Sequence, residues 1–151
     1  MSSDQIPVSN ALAVRLAAQG VDLERVGQLA GLPAGLLSER RVKVRLTTHQ
    51  FFAVWRALAQ LSDDPAFGLR LGGDVAPEHY DIASVAALHS ATMGEALRKV
   101  ARYKRLVCPE ELMLEEDGDS VRLHTRWTMI EDHTPELLID TMFPSITTLC
   151  R

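Results

Sequence analysis

The sequence has 151 residues, 46% hydrophobic and 24% charged, which suits one domain with its own core. Its formal net charge of −4 lacks the basic excess of a nucleic-acid reader, which leaves DNA binding to some other part of the same polypeptide. No apolar run is long enough to span a membrane, and Met1 to Val8 lacks a signal-peptide pattern, so a cytoplasmic protein without membrane contact is expected.

In chain order, Ser9 is placed to cap a helix with Leu12 and Leu16 on one face, which closes at Gly20. Asp22 is placed to cap the next, with Leu23, Val26 and Ala30 inward and Gly31 after it. Val42, Val44 and Leu46 alternate with Lys43 and Arg45, the period of a half-buried strand. Thr47 to Gln50 has the T-x-x-Q form of a capping box, and Phe51, Phe52, Trp55, Leu58 and Leu61 form the broad apolar stripe of the helix that follows. Asp64-Pro65 opens a short helix from Pro65 to Leu71 that Gly72-Gly73 should end.

Asp81 is placed to cap a helix with Ile82, Val85, Ala86 and His89 on its inner face, which makes His89 a hydrogen-bonded core histidine. Thr92 to Glu95 is a second capping box. The helix it opens carries Ala96, Leu97, Val100 and Tyr103 inward and Arg98, Lys99, Arg102 and Arg105 on its wetter sides. The period then shifts to two. Strands are expected over Glu111–Glu116 and Ser120–Met129, joined at Asp117-Gly118. Thr134-Pro135-Glu136 starts a last helix that Pro144 should kink or interrupt. A lone hairpin needs further strands or a covering helix, and the chain stops inside an apolar helix. Both features give the expectation of a fragment of a longer chain. The architecture expected is α+β: a helix-rich N-terminal layer packed with a small antiparallel sheet and a C-terminal helix.

Three stretches carry a family resemblance. Asp64-Pro65-Ala66-Phe67-Gly68-Leu69-Arg70-Leu71-Gly72 is similar to a "DP-x-FGL-x-x-G" segment, and Ser90-Ala91-Thr92-Met93-Gly94-Glu95-Ala96-Leu97 to an "S-x-T-hydrophobic-G-E-A-L" segment. Ala101-Arg102-Tyr103-Lys104-Arg105-Leu106 before a D-G hairpin completes the series. In this order and spacing the chain resembles the N-terminal, arabinose-binding-type regulatory domain of AraC/XylS-type bacterial transcription regulators. The resemblance implies effector sensing, dimerisation or both. Its partners would be a small-molecule effector of unknown identity and a second copy of the chain. Promoter DNA would be reached only through a C-terminal pair of helix-turn-helix units that residues 1–151 do not contain. The helix-rich start differs from the β-barrel-like regulatory domain of the family's sugar-sensing member, so arabinose is not implied as the effector.

Other constellations are weaker. Asp22 to Arg41 has a helix, glycine turn, helix outline with Ser38, Glu39, Arg40 and Arg41 as base or phosphate contacts, but Pro33 and Gly35 weaken its second helix. His49, His79, His89, His124 and His133 form no helical metal pair, and Cys108 and Cys150 read as reduced core thiols. No nucleophile elbow, P-loop or dinucleotide fingerprint occurs, so neither an enzyme nor a cofactor is expected. Glu110, Glu111, Glu115, Glu116, Asp117 and Asp119 read as a solvated acidic cluster around the hairpin. The basic side of the Arg98–Arg105 helix is placed to face water, to pair with that cluster or to meet an anionic effector. As effector-pocket residues the sequence favours Tyr103, His124 and Trp127, with Arg102 beside them, because aromatic and amphipathic groups between helices and a sheet suit a small-molecule pocket. A pure dimerisation module without a ligand is the alternative function.

Overall fold

The computed structural model describes residues 4–38, 43–76 and 80–149. Among these described residues, two antiparallel ribbons and seven helices run in the order β1 (Ile6–Ser9), α1 (Asn10–Ala18), α2 (Leu23–Leu29), β2 (Lys43–Leu46), α3 (Thr48–Leu61), α4 (Phe67–Gly73), α5 (Ile82–Leu88), α6 (Met93–Val107), β3 (Glu110–Asp117), β4 (Ser120–Trp127) and α7 (Glu136–Leu149). The class is the expected α+β, but the strands form two separate two-stranded sheets rather than one.

In the first sheet β1 pairs with β2, Ile6 opposite Leu46 and Val8 opposite Val44. Sequence reading gave β2, apart from Val42, which lies outside the described residues. It missed β1, because Ile6-Pro7-Val8 is too short to show a period and contains proline. A two-stranded ribbon consists of edges only, where proline is tolerated. The Asp4 carboxylate fastens this ribbon to α3: its Oδ1 accepts from Thr48 N at 2.8 Å and from Thr48 Oγ1 at 2.5 Å.

Local chemistry sets the helix starts. Asp22, Thr47, Asp81 and Thr92 each accept from the backbone amide three residues on, and Thr47 with Gln50 completes a reciprocal capping box. Ser9 stands at the N-cap position of α1 without a side-chain cap bond. Glu95 reaches back to Ala91 N at 3.0 Å, one residue before the position a capping box uses.

Helix bounds and faces differ from expectation in places. Helix α4 starts at Phe67, not Pro65, because Asp64 Oδ1 takes the Ala66 amide at 2.9 Å in a turn before the helix. It takes in both glycines of Gly72-Gly73 and ends at the second. Gly72 is a packing glycine: a Cβ there would run into the carbonyl of Thr141 on α7, and one at Gly68 would lie 2.7 Å from Asp140 Cβ. Helix α5 buries Ala83 and Ala87, so Ile82, Val85 and His89 face outward. His89 is exposed, with Nδ1 2.8 Å from Val85 O. Of the two effects expected of Pro144, the interruption does not occur: α7 continues through it.

The hairpin register places Asp117 opposite Ser120, so the turn residues are Gly118 and Asp119. Gly118 has φ +59°, the left-handed backbone that a two-residue hairpin turn needs at its first position. The helix-turn-helix outline is absent from its described part: residues 33–38 form turns, with Gly35 N donating to Glu24 Oε2 at 3.1 Å. Glu39, Arg40 and Arg41 lie outside the described residues, as do His79 and Cys150.

Burial divides the molecule into two packing units. One core joins β2, α1–α4 and α7 through Leu16, Val26, Leu46, Phe52, Leu58 and Leu71, among others. The second, smaller core is Ala87, Ala96, Val100 and Leu112 from α5, α6 and β3. Trp127 at the end of β4 bridges them. Its ring lies 5.2 Å from that of Phe52, edge-on, and 5.8 Å from that of Phe51.

Candidate functional site

A cavity of about 340 Å³ lies between the two units. Periodicity explains its walls. On α6, Val100, Tyr103, Lys104 and Val107 form one i, i+3, i+4, i+7 stripe, and all four line it. Leu138, Thr141, Met142 and Ser145 repeat the spacing on α7. The first strand supplies Ile6 and Pro7, α3 supplies Phe51, and the start of α5 supplies Asp81 and Ser84. Glu110 and Trp127 come from the open end of the hairpin, where the register sets them directly opposite each other. Their side chains therefore share one face of the ribbon.

The polar groups concentrate around Glu110. Its side chain is only 4% exposed and forms an ion pair with Lys104, whose Nζ also lies 3.9 Å from Met142 Sδ. A buried carboxylate persists only when paired. Cys108 donates Sγ–H to the Lys104 carbonyl at 3.3 Å. Burial is the main cause that pushes the Cys108 thiol above its ordinary range, with Lys104 opposing, so the thiol stays protonated at neutral pH. Thr141 and Ser145 turn their hydroxyl hydrogens to backbone carbonyls, Leu137 O at 2.8 Å and Gly72 O at 3.0 Å.

Of the residues expected at a pocket, the structure places Tyr103 and Trp127 on this wall. Arg102 and His124 lie elsewhere. Arg102 follows Val100 by two residues, about 200° around the helix, and is exposed. His124 is on the outer face of β4, with Nε2 3.4 Å from Glu115 Oε2. The basic helix meets the acidic hairpin at Arg98 with Glu116 as well as at Lys104 with Glu110, while Arg126 holds Glu111 at 2.5 Å. The sequence groups Glu110 with the solvated acids, whereas the fold buries it. Strand β3 begins one residue earlier than expected, which puts Glu110 in phase with Leu112 on the inner face. Lys104 carried a readable signal, since it shares the stripe of Val100 and Val107. Among the described residues no three metal-ligating side chains cluster, and no helix is long and apolar enough to cross a membrane.

The model of the arabinose-binding domain at the N-terminus of AraC transcription regulators matches residues 20–151. The chain belongs to this family. It is a family of regulatory ligand-binding domains, not of enzymes. No curated protein and no solved structure matches the chain. The matched stretch contains α2 to α7 and thus nearly every cavity residue, whereas Ile6 and Pro7 precede it.

Proposed function

We propose that this AraC-type domain senses a small effector in the cavity between its two packing units and passes its occupancy to a DNA-binding part on the same polypeptide. The observation that carries this reading is the position of the cavity. Its walls come from both units, so a bound molecule contacts both at once and favours the arrangement in which they close on it. A ligand shifts such an equilibrium only by its difference in affinity for the two arrangements. The DNA-binding part would be a C-terminal pair of helix-turn-helix units, the working form a homodimer, and the setting the bacterial cytoplasm.

One observation favours the alternative of a dimerisation module. The outer face of α5 and the start of α6 leave Ile82 70%, Leu88 51% and Met93 57% exposed, and apolar patches of this kind mark interaction surfaces. Thermal melts against pooled metabolites separate the readings. Binding to the native state alone raises the melting temperature with concentration. A saturable rise that Leu138→Trp, which fills the cavity, abolishes is expected of a sensor. Tight self-association with no shift from any pool overturns the sensor and leaves the dimerisation module.

A further inference from the structure

The chemistry of the cavity wall narrows what it takes; this step rests on the cavity being the effector site. Among the described residues three charged side chains line it: the carboxylates of Asp81 and Glu110 and the ammonium of Lys104. One negative charge is left over. Cys108 does not alter the count, because its buried thiol is neutral. Asp81 is exposed at the rim and accepts from Ser84 N, so its charge is partly screened. Glu110 is not. Among the described residues Lys104 Nζ is the one donor to its carboxylate, through Oε2. A carboxylate has acceptor capacity on both oxygens, and a buried one is stable in proportion to how fully both are satisfied. Oε1 accepts from no described group and is not sealed from solvent, so it has room for a further donor.

The ring of Trp127 stands across the ribbon from Glu110, and Phe51 and Tyr103 complete an aromatic lining. Aromatic faces attract cations and repel anions, more strongly where water is excluded. A free sugar fits poorly, because Ile6, Leu138, Met142 and Ile146 give its other hydroxyls nothing to bond. A carboxylic acid would add a second anion beside Glu110.

We propose that the cavity takes an organic amine, with a compact apolar body against Trp127, Phe51 and Leu138 and an ammonium group donating to Glu110 Oε1. The amine adds to the Lys104–Glu110 pair and does not replace it.

The test is titration of the purified chain with three matched probes, phenethylamine, 3-phenylpropionate and L-arabinose, by calorimetry and thermal melts. Phenethylamine is expected to bind saturably and the other two not. Glu110→Gln should weaken amine binding about tenfold to hundredfold, the worth of a charge-assisted hydrogen bond. Lys104→Met leaves Glu110 without its partner and should strengthen amine binding, a change of sign that a purely structural role does not produce. It also carries the test if Glu110→Gln does not fold. Binding of phenylpropionate or arabinose in place of the amine overturns the amine proposal and leaves the sensor reading intact. So does amine binding that neither variant alters. If none of the three probes binds, the amine proposal fails, and the metabolite pools then decide separately whether the cavity senses anything.

Discussion

The two packing units that enclose the cavity differ in how they are held together. The largest fully buried side chains, Phe52, Leu46, Leu58, Leu71, Val26 and Thr48, all belong to the unit of β2, α2, α3 and α4. The α5–α6–hairpin unit has a core of two alanines, one valine and one leucine. It relies more on surface pairs such as Arg98–Glu116, Lys99–Glu95 and Arg126–Glu111, which water and salt weaken. Stabilisation follows apolar area removed from water, so the second unit is the softer one. The cavity therefore has a stiff wall of α3 and α7 and a compliant wall of α6 and the hairpin. Local opening is cheapest where buried contacts are fewest, and regions that respond to ligands are drawn from such parts.

Substitutions in each unit should expose this difference. Phe52→Ala is expected to lower the unfolding free energy by about 4 kcal/mol, and Val100→Ala by about 2 kcal/mol, in urea melts. Hydrogen exchange sharpens the contrast. Val100→Ala should speed exchange in α5 and α6 and leave α3 protected. Equal acceleration in α3 would show one cooperative core and end the two-unit picture. Between these two in size is Gly72→Ala, expected to destabilise by about 3 kcal/mol, because its methyl group meets the Thr141 backbone and forces α4 from α7. Gly73→Ala is the control: a Cβ there meets nothing within 4 Å, and the helix gains about 0.5–1 kcal/mol from propensity.

The same division governs what could be read from the sequence. The stiff unit was legible, because its signals are local and agree: a capping box at Thr47, an apolar stripe on α3 and an aspartate cap on α2. In the soft unit the caps were legible but the faces were not. Apart from Ser84, helix α5 is apolar all round, so Ile82 and Val85 look like its buried side, whereas the close approach to α6 selects Ala83 and Ala87. Alternation gave β3 and β4, yet a one-residue difference at the start of β3 decides whether Glu110 meets water or the cavity. Tyr103 and Trp127 were found as aromatic groups at the helix–sheet junction. The stripe of Val100 and Val107 places Lys104 inward, but its pairing with Glu110 is a contact between two elements that neither segment announces. Gly72 looked like a helix end for the same reason: its role depends on Thr141, far along the chain.

The smallest expected effect concerns pH and tests whether the surface pairs belong to separate units. Hydrogen bonding to Arg56 and to the His133 amide holds the Asp132 carboxyl below its ordinary range, and Arg126 does the same for Glu111. A carboxyl whose pKa is depressed in the folded state adds stability above its unfolded value, and that stability is lost as pH falls through the folded value. Urea midpoints should therefore hold at neutral pH and decline below about pH 4, less steeply at high salt. Both groups are exposed, so Asp132→Asn and Glu111→Gln should each flatten the decline only slightly. Their exchange patterns should differ. Asp132→Asn frees the segment between β4 and α7 from α3, because Arg56 Nη2 reaches Asp132 at 2.6 Å and His133 O at 3.4 Å. Glu111→Gln loosens the hairpin alone. If both variants speed exchange in the same segments, the hairpin is not an independent wall, and a ligand in the cavity has no softer side to move.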